Sequence, residues 1–374
     1  MQVLFCGGGT GGHVYPALAV ADAVARKEGP DAAMLYIGAK GEIEEKLVPR
    51  AGVALAQIMG GGLHGVGPVQ FMRNLLQLVQ GFFQAWRIIG RFRPDVLFLT
   101  GGYASVPVAL AMWLRRRPIL VYLPDIEPGL AIKWLSRVAT RVAVNVEASR
   151  QYLSDSVLVT GYPLRSQFYQ DQRALRQSAR AQWGIRPEEK VLLVFGGSRG
   201  ARTINRALGA ILAPVLALGH VIHVSGTLDA DECRTRRDAL PDGVRARYHL
   251  CDYVHEMEQV LAAADLVVAR AGAGTLGEFP FFGLPAILVP YPYAWRYQKV
   301  NADYLADRGA AIRLNDEDMQ DKLLPTLQVL FEDEERLKLM SERARALARP
   351  HAADRLVDLL AHVCALGLGL EECR

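Results

Sequence analysis

The sequence has no strong excess of charge of either sign, and it has few cysteines. Lysine and arginine number 43 against 39 aspartates and glutamates, which leaves a formal net charge of +4. Such a small excess suits anionic ligands or an anionic membrane face, but it is too weak to indicate a nucleic-acid-binding protein. The five cysteines are scattered and lack the spacing of metal ligands, which favours a reduced compartment.

The sequence also lacks an apolar run as long as a transmembrane helix, and no basic segment precedes its first apolar run. We therefore expect neither a membrane-spanning helix nor a signal peptide. The 374 residues are 51% hydrophobic and carry charges of both signs, which is the composition of a globular protein. That length is enough for two ordinary hydrophobic cores, so we expect two domains.

Short apolar runs alternate with helical patterns along the chain, and the series restarts at Val191. Apolar strands separated by helices are typical of parallel sheets covered on both faces, so we predict an α/β protein. The predicted domains span residues 1–162 and 163–345, and residues 346–374 are expected to form a helical segment packing back towards the first domain. Ligands of such folds bind beyond the carboxyl ends of the strands, and we expect a cleft between the two domains.

A glycine-rich loop follows the first apolar strand directly. Residues 7–13, which we call the first glycine loop, read Gly-Gly-Gly-Thr-Gly-Gly-His and open into a helix-like segment. Glycines let a ligand approach the backbone, and free N–H groups at a helix start favour anions. The loop ends in His13, whose side chain exchanges protons near neutral pH. The loop therefore combines anion stabilisation with a candidate base.

The spacing of Gly7, Gly9 and Gly12 also fits the fingerprint of dinucleotide-binding proteins. That fingerprint requires an acidic residue near the end of the second strand to hold a ribose. Here the second strand runs into Gly-Ala-Lys at residues 38–40, and the first acid, Glu42, falls beyond the expected position. A dehydrogenase is therefore the less favoured interpretation.

Two further glycine segments lie in the second half of the sequence. Residues 270–278, the donor segment, combine small residues with Thr275 at a helix start and are suited to cradle a diphosphate. Glu278 is suited to accept hydrogen bonds from ribose hydroxyls, although a plain strand-to-helix turn explains the same pattern. Residues 196–202, the second glycine turn, offer hydroxyl and guanidinium groups to phosphate oxygens, or form a solvated surface turn. The Asp-Ala-Asp triplet at 229–231 lacks a glycine cradle and is interpreted as a solvated turn, not a metal site.

Four motifs stand in order along the chain: Gly-Gly-Thr-Gly-Gly-His-x-x-Pro-Ala-Leu-Ala at 8–19, Gly-Gly-Tyr-Ala-Ser at 101–105, Gly-Gly-Ser-x-Gly-Ala-Arg at 196–202 and Gly-Leu-Pro-Ala at 283–286. In this order and spacing they resemble the MurG family of glycosyltransferases, from about residue 2 to about residue 350. That family moves N-acetylglucosamine from UDP-N-acetylglucosamine to lipid I, a polyprenyl-diphosphate-linked muramyl peptide, and forms lipid II. The resemblance implies a GT-B fold, in which two Rossmann-like domains with parallel sheets face a central cleft. It also implies inverting transfer without a cofactor or a metal ion.

The resemblance carries roles over to individual residues. His13 is the candidate general base, and Asp125 is a nearby acid that would take the proton in its place. The residues expected to bind UDP-N-acetylglucosamine are Thr10, Gly11, Gly12, Asp125, Arg165, Ser198, Val254, Ala273, Gly274, Thr275, Leu276, Gly277, Glu278 and Gln298. The residues expected on the acceptor side are Gly101, Gly102, Tyr103 and Ser105.

The sequence departs from the family at residues 122–125, where Tyr-Leu-Pro-Asp replaces the usual His-Glu-Gln-Asn. Asp125 therefore stands where an asparagine helps to hold the donor sugar. Arg199, Tyr162 and Tyr297 replace a glutamine, an asparagine and a glutamine of the family. These changes leave three alternatives open: transfer to another lipid or glycan acceptor, a nucleotide-sugar 2-epimerase, and a non-catalytic scaffold that recruits cell-wall enzymes.

Residues 71–93 combine an apolar stripe with arginines. Such a surface can rest in an anionic headgroup layer, although an apolar stripe is more often part of the core. A polyprenyl-linked acceptor favours the membrane, so the resemblance implies a peripheral protein on the cytoplasmic side of the cell membrane, with no nucleic-acid partner. The stripe consists of Leu75, Leu78, Val79, Phe82, Phe83, Trp86 and Ile89, flanked by Arg73, Arg87, Arg91 and Arg93.

Overall fold

The computed structural model describes residues 1–29, 32–62, 66–153, 156–197, 200–293 and 297–367. The chain divides into two compact units. Unit 1 consists of Met1–Ser166 together with Arg349–Arg374, and unit 2 is Gln167–Ala348. The domain boundaries expected after residues 162 and 345 remain predictions.

Unit 1 is built on a parallel sheet. Its strands are β1 Val3–Cys6, β2 Met34–Ala39, β3 Ala54–Ile58, β4 Val96–Leu99, β5 Ile119–Leu123, β6 Arg141–Val144 and β7 Leu158–Val159. Within the described residues these seven strands pair in the order β3-β2-β1-β4-β5-β6-β7. Strand β1 lies between β2 and β4 and is fully buried, which explains its uninterrupted apolar sequence.

Helices cover both faces of this sheet. They are α1 Gly11–Glu28, α2 Glu44–Arg50, α3 Pro68–Phe92, α4 Ser105–Leu114 and α5 Leu130–Leu135, with a 3-10 helix at Glu147–Tyr152. A further 3-10 helix, Ser166–Tyr169, begins at the last residue of this part of unit 1 and continues into unit 2. Two apolar clusters, one on each side, fill the space between the sheet and the helices. Helix α1 carries Arg26 and Lys27 in its last turn, where positive charge complements the helix dipole.

Unit 2 repeats the arrangement with a second parallel sheet. Its strands are β8 Val191–Phe195, β9 His220–Val224, β10 Tyr248–Cys251, β11 Leu266–Ala269, β12 Ala286–Leu288 and β13 Ala311–Arg313. Its helices are α6 Gln172–Gln182, α7 Arg202–Ala210, α8 Leu212–Leu218, α9 Ala230–Asp238, α10 Asp242–Arg245, α11 Met257–Ala263, α12 Glu278–Phe282, α13 Tyr297–Asp307, α14 Met319–Glu332 and α15 Glu334–Ala346, with 3-10 helices at Ala273–Leu276 and Asp316–Asp318. In the described part of the unit the strands pair in the order β10-β9-β8-β11-β12-β13.

The last helix, α16 Ala352–Gly367, belongs to unit 1 and packs on α1. Leu356, Leu360 and Val363 are fully buried in the same apolar cluster as β1. Arg355 donates a hydrogen bond of 2.7 Å to the carbonyl oxygen of Thr160, which ties α16 to the end of β7. The C-terminal helix is therefore part of the unit 1 core.

The six strands of the unit 2 sheet follow the same order as the first six strands of the unit 1 sheet, and in each sheet the chain reverses direction beside its first strand. In unit 1 this switch lies between β1 and β4, and in unit 2 it lies between β8 and β11. Ligands of doubly wound folds bind beyond the carboxyl ends of the strands at such a switch. The first glycine loop follows β1, and the donor segment follows β11. The prediction of two Rossmann-like domains with parallel sheets is confirmed.

Candidate active site

The first glycine loop is fastened to the residues that follow β4. The register of β1 and β4 pairs Cys6 with Leu99, so the two chain segments leave the sheet side by side. The Thr100 N–H donates to the Cys6 carbonyl oxygen at 3.1 Å, and the Gly8 N–H donates to the Gly101 carbonyl oxygen at 3.1 Å. The motifs at 8–19 and 101–105, separate in sequence, therefore form one structure.

Gly102 is required where these two segments meet. Its φ is +91°, a conformation that side chains disfavour, and a Cβ there would lie 2.6 Å from the Gly8 carbonyl oxygen. Ser105 is fully buried and donates a hydrogen bond of 2.7 Å to the Gly101 carbonyl oxygen. Tyr103 is half exposed, and a Cβ at Gly62 would lie 2.8 Å from its ring. Of the four acceptor-side residues, Tyr103 presents the most side chain to solvent.

His13 lies in the first turn of α1 and is half-buried. Its Nδ1 lies 2.8 Å from the Thr100 carbonyl oxygen. The Thr100 hydroxyl donates in turn to the His13 carbonyl oxygen at 2.6 Å. The ring also packs against Gly101, where a Cβ would lie 3.0 Å from His13 Cε1. The candidate base therefore has a defined position relative to the end of β4.

Two buried side chains support the loop from below. Tyr36 on β2 donates its hydroxyl hydrogen to the Gly7 carbonyl oxygen at 2.5 Å. Glu44 in the first turn of α2 is fully buried and accepts from the Gly9 N–H at 3.4 Å. A Cβ at Gly8 would lie 1.8 Å from Glu44 Oε1, so only glycine fits there. Burial raises the pKa of the Glu44 carboxyl, which favours its neutral form.

Sequence reasoning missed Tyr36, Glu44 and Thr100. Thr100 had a usable signal, because a polar residue directly follows an apolar strand and precedes two glycines. Tyr36 resembles an ordinary core aromatic, and Glu44 resembles a first-turn acid that stabilises a helix dipole. No local pattern distinguishes these two residues from structural ones.

Arg165 lies near the same end of α1. Its guanidinium carbon is 5.1 Å from the centre of the Tyr15 ring, a cation–π distance. Tyr15 packs against Gly11, where a Cβ would lie 3.2 Å from the ring. Thr10 is the exposed N-cap residue, and the described first turn of the helix carries no acidic side chain. Positive charge and helix N–H groups thus coincide, an arrangement that suits an anion.

Asp125 follows β5 and is half-buried. Burial, and to a lesser extent Tyr162 and the Asp125 charge, raise the pKa of Tyr122 well above the ordinary value. Because β5 is the neighbour of β4, Asp125 lies at the same carboxyl edge of the unit 1 sheet as the first glycine loop.

In unit 2 the donor segment forms a tighter turn than the sequence indicates. Ala273–Leu276 is a 3-10 helix, and the α12 helix that follows has only five residues. Thr275 donates its hydroxyl hydrogen to the Gly272 carbonyl oxygen at 2.7 Å, and a Cβ at Gly274 would lie 3.2 Å from Glu278 Oε1. A helix this short has little dipole, so backbone N–H groups are the main feature that suits a diphosphate here. Ala273, Thr275 and Leu276 are buried, whereas Gly274, Gly277 and Glu278 are partly exposed.

The other predicted donor residues are dispersed over unit 2. Gln298 lies in α13 and accepts from the Tyr291 N–H at 2.9 Å through its side-chain oxygen, so its amide group can donate. Val254 follows β10 and is half-buried between Tyr253 and His255, whose rings are 4.7 Å apart. Ser198 and Arg199 of the second glycine turn lie outside the described residues.

The interpretation of residues 229–231 as a solvated turn is wrong for Asp229. Its side chain is buried and accepts from Arg202 Nε and from Asn205 Nδ2, each at 3.0 Å. These two donors lie one turn apart on α7, a long-range arrangement with no local signature. Asp231 is exposed, as expected.

The stripe at residues 71–93 lies on α3, which has a buried face and an exposed face. Gly81, Ala85 and Ile89 are buried, so one face packs against the unit 1 core. Another face is exposed and apolar. No helix among the described residues is long and apolar enough to cross a membrane. The exposed apolar side chains on α3 are Val69, Phe71, Met72, Leu75, Leu76, Val79 and Phe83.

Comparison with known proteins agrees with this architecture. Residues 3–144 match the glycosyltransferase family 28 N-terminal domain, and residues 191–356 match the family 28 C-terminal domain. A protein of Roseiflexus sp. (strain RS-1) is 40% identical over 96% of this chain and 94% of its own length. One of Desulforudis audaxviator is 37% identical over 98% of this chain and its own full length. Both are named UDP-N-acetylglucosamine–N-acetylmuramyl-(pentapeptide) pyrophosphoryl-undecaprenol N-acetylglucosamine transferase.

The chain belongs to this family of transferases, the MurG family. The crystal structure of Acinetobacter baumannii MurG resembles it with a TM-score of 0.74 and 26% identity, over 96% of this chain and 99% of that one. The predicted GT-B fold is confirmed by this similarity. The chain is therefore a member of the MurG family although it has Tyr-Leu-Pro-Asp at residues 122–125.

Proposed function

We propose that the chain is an inverting glycosyltransferase that moves N-acetylglucosamine from UDP-N-acetylglucosamine to the muramyl 4-hydroxyl of lipid I, which gives lipid II. The observation that carries the proposal is the fixed position of His13 at the end of the first glycine loop. A half-buried imidazole beside a helix N-terminus and a guanidinium group is suited to proton transfer next to a negatively charged substrate.

In the proposed reaction the acceptor hydroxyl attacks the anomeric carbon from the face opposite UDP. His13 accepts the hydroxyl proton, and Asp125 is the alternative base. The departing diphosphate is stabilised by Arg165, by Ser198 and by N–H groups of the donor segment, which do the work that a metal ion does in other transferases. One displacement converts an α-linked donor into a β-linked product.

The rest of UDP-N-acetylglucosamine is proposed to bind residues of unit 2. Val254 would lie beside the uracil, Glu278 would accept from ribose hydroxyls and Gln298 would donate to the sugar. The partial exposure of Glu278 and the side-chain amide donor of Gln298 support these roles.

We further propose that unit 1 docks on an anionic membrane surface on the cytoplasmic side through the exposed apolar face of α3. Phe83 is 60% exposed and Met72 is 55% exposed, and Arg73 lies exposed among them. Burial of apolar side chains in the headgroup region, with arginines beside anionic lipids, gives reversible peripheral binding. A lipid-linked acceptor would then be met in the membrane that holds it.

The decisive experiment is incubation of the purified protein with labelled UDP-N-acetylglucosamine and lipid I in detergent. Formation of lipid II is expected. Glycosylation of another acceptor but not of lipid I would overturn the substrate and keep the reaction class. Release of UDP without any acceptor would favour the 2-epimerase, and absence of UDP-sugar binding by calorimetry would favour the scaffold.

Docking is tested separately by sedimentation with vesicles that contain anionic lipid. Phe83→Glu should weaken vesicle binding about tenfold, because a charge replaces apolar burial. Val329→Glu, an exposed apolar position on α14 of unit 2, is the matched control. Equal weakening by both variants would contradict docking through α3.

A further inference from the structure

The contacts of Thr100 with His13 carry an inference that rests on the proposed function and deepens it. The two residues are 87 positions apart in sequence and meet through two hydrogen bonds. We propose that Thr100 is a positioning residue: its carbonyl group holds His13 in the tautomer with hydrogen on Nδ1, and its hydroxyl group fixes the main chain of His13. In this arrangement His13 Nε2 is the atom that takes the proton from the hydroxyl group of the acceptor substrate.

The tautomer follows from the chemistry of the partner. A carbonyl oxygen accepts hydrogen bonds and cannot donate one, so an imidazole nitrogen 2.8 Å from it must carry the hydrogen. A neutral imidazole has a single N–H. When Nδ1 holds that hydrogen, the lone pair is on Nε2.

The Thr100 hydroxyl adds a second constraint on the same residue. It donates to the His13 carbonyl oxygen at 2.6 Å, while the Thr100 N–H donates to Cys6 at 3.1 Å. Thr100 is fully buried, so its own polar groups in these bonds are shielded from water. A Cβ at Gly7 would lie only 2.0 Å from Thr100 Oγ1, so the hydroxyl packs directly against the first glycine loop. Both the main chain and the ring of His13 are therefore held by Thr100, at the end of β4.

This arrangement suits the proposed proton transfer. As the acceptor oxygen forms its bond to the anomeric carbon, its proton passes to Nε2 and the electron pair of the breaking bond leaves with UDP. The imidazole becomes an imidazolium ion, and its Nδ1–H bond to the Thr100 carbonyl becomes a stronger, charge-assisted one. The carbonyl thus stabilises the charge that develops during transfer and keeps the ring in place.

The test combines kinetics with a direct measurement of the tautomer. Thr100→Val keeps the shape and removes the hydroxyl, and it should lower kcat about tenfold or more while the KM for UDP-N-acetylglucosamine changes less than about twofold. Thr100→Ser restores the hydroxyl and should recover most of kcat. Thr160→Val is the matched control, because Thr160 is a buried threonine of unit 1 whose hydroxyl contacts Val144 and Gly161 but not His13. It should keep wild-type kcat.

The tautomer is read from ¹⁵N-histidine NMR spectra of the wild-type protein, with the His13→Ala spectrum assigning the signal. Hydrogen on Nδ1 is expected. Hydrogen on Nε2 alone, or wild-type kcat in a folded Thr100→Val protein, would overturn the inference while lipid II formation still stands. If the wild-type protein forms no lipid II, the proposed function fails, and the spectrum still decides the tautomer even if Thr100→Val does not fold.

Discussion

The first glycine loop and the donor segment occupy equivalent places in two sheets whose first six strands have the same order, yet they are held in different ways. The first loop opens an 18-residue helix and is fastened by side chains from other elements, namely Tyr36, Glu44 and Thr100. The donor segment opens a five-residue helix: Asp316 and Asn301 bind its first two residues, Arg270 and Ala271, and a local bond from Thr275 closes its turn. A reacting proton needs a fixed base, whereas a diphosphate is served by several backbone N–H groups.

The buried ionisable groups of the two units differ as well. Unit 1 buries the Glu44 carboxyl beneath its loop, and burial raises its pKa. Unit 2 buries His223, which bonds to Tyr248 and Asn205, and burial lowers its pKa to about 4. Burial shifts the titration of both groups towards their neutral forms, so the stabilities of the two units should depend on pH in opposite directions.

The largest expected effect is that of His13→Ala. Loss of the base should lower kcat by about 10²- to 10⁴-fold, with UDP-N-acetylglucosamine affinity kept within a few-fold, because the imidazole acts in proton transfer. Turnover assays and calorimetry on the same protein measure the two quantities. A large loss of donor affinity would mean that His13 is structural. The assignment of proton transfer to the first glycine loop and of diphosphate binding to the donor segment would then be wrong.

Alanine at a glycine of each region tests how tightly each is packed. Gly102→Ala should cost about 2–3 kcal/mol of unfolding free energy, since its φ is +91° and a Cβ would meet the Gly8 carbonyl oxygen. Gly272→Ala should change stability by less than about 0.5 kcal/mol, because no described atom lies within 4 Å of the added Cβ. Denaturant unfolding compares the two. Equal costs would contradict the difference in packing.

The pH dependence distinguishes the units. Burial lowers the pKa of His223 from its ordinary value of 6.5 to about 4, so its contribution to unit 2 is complete above pH 6.5 and is lost as pH falls towards 4. Burial raises the pKa of Glu44, so its contribution to unit 1 is complete below its ordinary value of 4.5 and is lost as pH rises through the folded pKa. Hydrogen exchange of sheet amides, followed from pH 4 to pH 8, reports on each unit.

Single substitutions provide the controls for this experiment. In His223→Gln, the protection of unit 2 sheet amides should fall less as the pH is lowered. In Glu44→Gln, the protection of unit 1 sheet amides should fall less as the pH is raised. Parallel pH profiles for the two units, unchanged by either substitution, would show that neither buried group contributes as argued.

A small effect is also expected of Thr275→Val. The variant keeps the side-chain shape and removes the bond to the Gly272 carbonyl, so we expect a cost of about 1 kcal/mol and a change in donor affinity of only a few-fold. Calorimetric titration with UDP measures the affinity, and Thr275→Ser should match the wild-type protein. A loss of donor affinity far beyond a few-fold would mean that this hydroxyl contacts the ligand directly.

Sequence reasoning predicted the features that depend on neighbouring residues. The uninterrupted apolar runs identified buried parallel strands, and the order of the glycine motifs identified the family. It could not locate Glu44 beneath Gly8 or Asp229 against Asn205, because these contacts join segments that come together only when the sheet forms. It also left α3 undecided, since an apolar stripe at helical spacing looks the same whether the core covers it or solvent does.

The amino-acid sequence by itself determined that strands and helices alternate, where glycine turns break them, and that His13 ends one of those turns. Those properties follow from the conformational preferences of short segments. Only the tertiary structure decided what His13 can do. The pairing of β1 with β4 brings Thr100 to the imidazole from 87 residues away, and hydrogen bonds across that distance depend on strand register.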